Sequence, residues 1–292
     1  MNTGILAAIG AYASWGLLPI YWKLLGHVPT GQLLCHRIAW SFVVLAIFLG
    51  LTGRVAKLRG DLCPSVWISY VLASLLIGVN WFIYVWSVNA GYIVEASLGY
   101  FINPLLSVLL GVFFIGERLR RLQWLPLGLA ATGVVYLTVQ YGRLPWIALN
   151  LAVTFSLYGL VKKKAPLGAF EGLTLETGLL LPPALVWLLW SEHSGTGAFL
   201  HAGAGSDLLL MGAGLVTTVP LVMFAAAAHR IPLSMIGILQ YIAPTIQFLI
   251  GVFMYHEPFS RSQFTGFAMV WTAVLLFWLE RWKFGRTPSL AT

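Results

Sequence analysis

Of the 292 residues, 59% are apolar and only 9% are charged, against about 25% charged in a typical soluble domain. Mean hydropathy is +0.87, so the chain has too little polar surface to face water. Its formal net charge of +8 falls in short loops between apolar runs, which reads as topogenic and lipid-facing rather than as a nucleic-acid footprint.

Apolar runs near the length that a bilayer-spanning helix needs are expected at 4–22, 30–51, 65–88, 92–115, 121–140, 144–161, 172–190, 207–228, 231–255 and 263–282. They lack the period-two alternation of a transmembrane barrel. The class is therefore an all-α polytopic membrane protein with ten transmembrane helices. Met1-Asn2-Thr3 offers no basic n-region, so the first run reads as a membrane helix rather than a cleavable signal.

The first span carries Trp15-Gly16 and Pro19. A bulky ring beside a glycine suits a gate that closes as the helix rocks; close helix packing is the alternative. The second span holds Cys35 and Arg37. Cys35 and Cys63 lie in different segments without metal-like spacing and are expected to be free buried thiols. On the third span Asn80, Tyr84 and Ser87 follow spacings of four and three, which puts them on one helical stripe. Amid Trp81, Phe82 and Trp86, that stripe reads as the wall of a wet cavity, with helix–helix glue as the competing reading.

The fourth span contains Glu95, Tyr100, Phe101, Asn103 and Pro104. The sixth carries Ser156 and Tyr158-Gly159, the counterpart of the first span's aromatic–glycine pair, and the seventh carries Glu176. Thr217 and Thr218 precede Pro220 on the eighth, where hydroxyls cover carbonyls released by a proline; Thr218 is the better candidate for substrate contact. The ninth holds Gln240, Tyr241 and Pro244. Each mid-span proline removes one backbone hydrogen bond and permits a kink. Arg37 and Glu95 are expected to pair as a latch near one membrane face, and Glu176 to pair near the other with His229, Arg230 or Lys162-Lys163-Lys164. Snorkelling to headgroups is the alternative.

Thirteen Lys and Arg residues fall in loops on one side, among them Arg54, Arg118, Lys162, Lys163, Lys164 and Arg230. Only Lys23, Arg37, Arg143 and Arg261 fall on the other. Positive loops stay cytoplasmic, so both termini are expected inside.

The segment EASLGYFINPLLSVLLGVFFIGE (Glu95 to Glu117) is echoed by MIGILQYIAPTIQFLIGVFMYHE (Met235 to Glu257), with Pro104 over Pro244 and Gly111 over Gly251. This shift of 140 residues carries span four onto span nine. Five crossings per half is an odd number, so the second half enters the membrane in the opposite sense, as in inverted-repeat carriers. The expected units are 1–142 and 143–284, two inverted five-helix repeats around a central cavity, with a disordered cytoplasmic tail at 285–292. Prolines at matched positions point to a binding site at the midplane.

HRIAWS (His36 to Ser41), VNAGYIVEASLGYFINPL from Val88, SLYGLVKKK (Ser156 to Lys164), VTTVPL (Val216 to Leu221) and QYIAPT (Gln240 to Thr245) together resemble the EamA family of the drug/metabolite transporter superfamily, of the RarD and YddG-like exporter type. The resemblance covers nearly the whole chain. It implies ten helices in two inverted halves and export of small metabolites across a bacterial inner membrane.

No P-loop, HExxH or GxSxG pattern occurs, and Asp61 and Asp207 are the only aspartates, both near loops. An enzyme, a cofactor and a metal site are therefore not expected. With no charge at the midplane, the amides, hydroxyls and aromatic faces suit a neutral or zwitterionic small molecule, amino acids foremost. The alternatives are a drug-efflux or exchange antiporter on the same fold and, from another class, a channel or lipid-handling protein. The expected partners are the lipid bilayer and a small-molecule substrate, without nucleic acid. Ten helices can enclose a cavity without a second chain, which is compatible with a monomer.

Overall fold

In hydrocarbon, every backbone polar group must be satisfied within the protein, and a continuous helix does this residue by residue. The computed structural model describes residues 3–55, 64–90, 93–116, 118–140, 146–255 and 260–284. Cys63, Glu117, Glu257 and the tail at 285–292 lie outside them. Among the described residues all regular structure is helical.

The helices are α1 (Thr3–Leu24), α2 (Thr30–Leu51), α3 (Pro64–Asn89), α4 (Ile93–Ile115), α5 (Trp124–Gln140), α6 (Trp146–Lys164), α7 (Ala169–His193), α8 (Ala204–Ala228), α9 (Leu233–Leu239), α10 (Ile242–Leu249) and α11 (Arg261–Phe284). A 3₁₀ turn, Arg121–Gln123, leads into α5, and a π-helical segment, Ile250–Met254, follows α10. Among the described residues eight helical stretches are long and apolar enough to cross a membrane, with Ser234–Met254 counted as one despite its break. The sixth expected run does not meet that measure because α6 ends in three lysines. The tenth contributes only a shorter apolar helix, Phe264–Phe277.

Large apolar side chains cover the outside, as a lipid-facing surface requires. Phe113 and Phe253, related by the shift of 140, are 73% and 71% exposed. The two related segments therefore turn the same face outward.

Helix packing follows a pattern of exchanged partners. α1 lies against α8, and α6 against α3; α4 lies against α6, and α10 against α1. α2 packs on α8 and α3 on α7, while α2–α7, α4–α9 and α5–α11 are direct pairs. In the pair α5–α11 the helices come close at Gly266, where a Cβ would come within 2.4 Å of Leu137 Cγ. Glycine permits this approach.

Polar ties hold the two ends of the bundle. At the end bearing the lysines, Arg54 pairs with Glu171 at 3.5 Å, and Lys163 Nζ donates to the Ile231 carbonyl at 2.8 Å. At the opposite end, Gln32 donates to the Thr196 carbonyl at 2.6 Å and accepts from Ala198 N at 2.8 Å. There too, Tyr21 donates to the Leu209 carbonyl.

Candidate functional site

The prolines locate the irregular backbone. Pro19 has no N–H to offer the Trp15 carbonyl, and Gln247 Nε2 donates to that oxygen at 3.2 Å. One residue on, a Cβ at Gly16 would stand 2.7 Å from Ile246 Cβ, so α10 rests directly on α1 at this point. The two aligned prolines behave differently. α4 continues unbroken through Pro104, whereas the ninth segment stops at Gln240–Tyr241 and restarts as α10. Restarting puts Pro244 in the first turn, where a missing N–H costs nothing. The expectation of matched kinks thus becomes one continuous helix and one broken one. Pro220 lies inside an unbroken α8.

Towards the lysine-bearing end, aromatic rings from three helices fill the interior. Trp15 lies 5.7 Å from Phe155 and 5.6 Å from Phe224, Tyr12 lies 5.5 Å from Trp15, and Tyr158 stacks on Phe224 at 6.2 Å. Below them is a buried ion pair. Lys162 Nζ donates to Glu176 Oε1 at 2.6 Å, and the Tyr158 hydroxyl donates to Oε2 at 2.9 Å. Of the partners expected for Glu176, the one present is Lys162. At the margin of this end, His229 closes α8, and its pKa is held below the ordinary histidine value by partial desolvation and then by Lys162, Lys163 and Arg230.

Towards the other end lies a second buried cation. Arg37 has 5% of its surface exposed; its guanidinium stands 4.7 Å from the centre of Trp22 and 4.7 Å from that of Trp81, and its Nε donates to Thr217 Oγ1 at 3.1 Å. The expected Arg37–Glu95 latch is not formed. Glu95 Oε1 instead accepts the backbone N–H of Ile147 at 3.1 Å. That bond satisfies an orphan donor in the first turn of α6, where a carboxylate is favoured by the helix dipole.

The stripe on α3 divides. Asn80 donates to the Leu151 carbonyl and to Thr154 Oγ1, both at 2.9 Å, so its amide nitrogen joins α3 to α6 as glue. Ser87 bonds back to the Tyr84 carbonyl at 2.8 Å. Tyr84 meets Tyr100 edge-on at 5.5 Å. On α4, Asn103 accepts from Ser156 through both its carbonyl and its Oδ1, each at 3.1 Å. Its Nδ2 is buried without a hydrogen-bond partner among the described residues, as are Thr218 Oγ1 and Gln240 Oε1. Tyr241 donates to the Phe101 carbonyl at 3.4 Å, and the two rings lie 6.4 Å apart. Gly159 is buried in α6 beside Tyr158.

Reading the chain passed over Trp22, Phe155, Phe224 and Gln247. Gln247 alone had a local signal, a polar side chain one turn beyond Pro244 in an apolar run. The three aromatic residues look like ordinary lipid-facing ones until the helices are assembled. Among the described residues no group of three His, Cys, Asp or Glu is placed to hold a metal ion. The arrangement offers hydrogen-bonding groups, aromatic faces and two buried cations, Arg37 and Lys162.

The EamA-like transporter family model matches residues 2–139. A Bacillus subtilis (strain 168) protein described as uncharacterized transporter YojE is 47% identical, covering 98% of this chain and 97% of its own. Protein RarD of Streptomyces exfoliatus is 47% identical over 95% of this chain and 89% of its own. A solved crystal structure superposes on 95% of this chain and 97% of its own with a TM-score of 0.70 at 19% identity, which shows a shared fold.

Proposed function

The chain belongs to the EamA-like transporter family, and from that premise we propose that it exports small neutral or zwitterionic metabolites, amino acids foremost, by alternating access and without nucleotide hydrolysis. It does so across a bacterial inner membrane, through ten crossings arranged as two inverted halves, with both termini in the cytoplasm.

The observation that carries this reading is the exchange of helix partners. A two-fold relation requires that if the first helix of one half touches the third of the other, the third of the first half touches the first of the second. α1–α8 with α3–α6, α4–α6 with α1–α10, and α2–α8 with α3–α7 obey this rule, and α2–α7, α4–α9 and α5–α11 are self-paired. Phe101 and Tyr241, 140 positions apart, touch each other, which supports an axis between them. Two halves so related reproduce one shape facing either side of a membrane.

In this reading the aromatic cluster and the Lys162–Glu176 pair seal the cytoplasmic end. Tyr84, Tyr100, Asn103, Ser156, Thr218, Gln240 and Tyr241 offer the substrate its polar and aromatic contacts, while Gly16, Pro19, Pro104, Gly159, Pro220 and Pro244 mark where helices flex. Transport runs down the substrate gradient.

The test is reconstitution of the full chain in liposomes loaded with amino acids, nucleosides or antibiotics. Saturable efflux of a member of the panel is expected, at carrier rather than channel rates. No protein-dependent movement of any member, or ion conductance far above carrier turnover, would overturn the reading. Uptake driven by an imposed pH gradient and lost on Glu95→Gln would overturn the passive mechanism.

A further inference from the structure

Of the two cations buried in the bundle, Lys162 has a carboxylate at 2.6 Å. Arg37 has none among the described residues. Its fixed neighbours are Trp22, Trp81 and the Thr217 hydroxyl, and the one acid expected beside it, Glu95, is bonded to the start of α6. Removing a guanidinium from water costs several kcal/mol even after relaxation. A desolvated cation–π contact is a weak interaction beside that cost, so two rings offset only part of it. Membrane proteins keep intramembrane charges of this kind where they serve a ligand or pathway.

The donor inventory points the same way. A guanidinium carries five N–H donors in a rigid planar fork, and Arg37 commits only the Nε donor, to Thr217. Its terminal nitrogens make no hydrogen bond to the described residues, so the donors of the fork's outer edge are uncommitted there. Tyr84 and Tyr100 lie within electrostatic range of the guanidinium and meet each other edge to face. Together they supply an aromatic pair carrying two hydroxyl groups.

We propose that Arg37 is a carboxylate-binding residue, and that the protein's substrates are small organic acids or amino acids whose carboxylate docks on the terminal nitrogens of its fork. The rings of Trp22 and Trp81 and the bond to Thr217 hold the guanidinium in place before the ligand arrives. Tyr84 and Tyr100 take the body of the substrate. This inference rests on the transport reading above, keeps its amino acids and extends its substrate class to small organic acids. Lysine cannot replace the arginine, because an ammonium lacks the bidentate geometry that matches a carboxylate.

Purified full-length protein is tested by thermal shift and liposome flux against L-phenylalanine, L-leucine and benzoate, alongside L-phenylalaninamide and benzamide, with sodium chloride as the inorganic control. At least one carboxylate should stabilise the wild type and cross the membrane, and its amide should bind about tenfold or more weakly. Arg37→Lys should lose about tenfold in affinity and Arg37→Gln nearly all of it; Arg37→Lys should retain wild-type elution and ligand-free melting, which separates binding from folding. The carboxylate assignment falls if acids and amides bind alike, if neither class binds, if chloride alone stabilises, or if Arg37→Gln keeps the affinity for acids. The transport reading survives those results so long as some solute of the wider panel still moves. If Arg37 discriminates acids from amides yet no solute of any class crosses the liposome membrane, the transport reading fails and the binding site stands.

Discussion

Lys162 and Glu176 meet at 2.6 Å inside the bundle, with side chains 1% and 2% exposed. Breaking a buried pair strands a charge and costs about 3–5 kcal/mol, while replacing both partners by apolar groups is often neutral. Glu176→Gln should therefore lower the melting temperature in detergent sharply, and the double variant Lys162→Met, Glu176→Leu should recover most of the loss. Equal melting of the single and double variants would show that the two charges are not coupled.

The rings of Trp15, Phe155, Tyr158 and Phe224 pack across three helices at centroid distances from 5.6 to 6.2 Å. Truncating a buried Phe to Ala costs about 3–5 kcal/mol. Phe224→Ala should destabilise by that amount and also make the lysine-bearing end leaky to small solutes in liposomes. Tight liposomes containing the folded variant would mean that this cluster is core and not a seal.

Gln247 serves the carbonyl that Pro19 leaves unpaired. Gln247→Leu should cost about 0.5–1.5 kcal/mol, the net worth of one hydrogen bond. In a Pro19→Ala background, the alanine N–H takes over that carbonyl and the penalty should shrink. Chemical unfolding of the four proteins of the cycle measures the coupling; strict additivity would argue against the pairing.

His229 bears on acid stability. Desolvation and the neighbouring Lys162, Lys163 and Arg230 hold its pKa below the ordinary value of 6.5. The folded state thus binds fewer protons than the unfolded chain, and stability is full above 6.5 and declines as pH falls through that value. Lowering pH from about 7.5 to about 5.5 should reduce the melting temperature slightly, because the residue lies at the surface. In His229→Asn that decline should be smaller. An unchanged slope would exclude the histidine as its source.

The all-helical class and several element boundaries were legible because lipid imposes long apolar runs. Thr30–Leu51 ends where the run ends, and Ala204–Ala228 differs only at its start. Partners were less legible. The spacing of Asn80, Tyr84 and Ser87 identifies a common face, but not that Asn80 meets Leu151 and Thr154. The latch between Arg37 and Glu95 followed from opposite charge at similar depth, and sequence carries no measure of lateral distance. The matched prolines show the same gap. Identical residues at Pro104 and Pro244 accompany a continuous helix at one position and, at the other, a break at Gln240–Tyr241, so a proline alone does not predict a break.

The lysine-rich finish of α6 also bears on biosynthesis. Lys162 lies in the last turn of α6 and is buried against its neighbours, and a buried lysine without a partner is costly. Its counter-ion arrives fourteen positions later, on the next helix. Insertion of α6 and α7 together would bring the two charges into the bundle already paired.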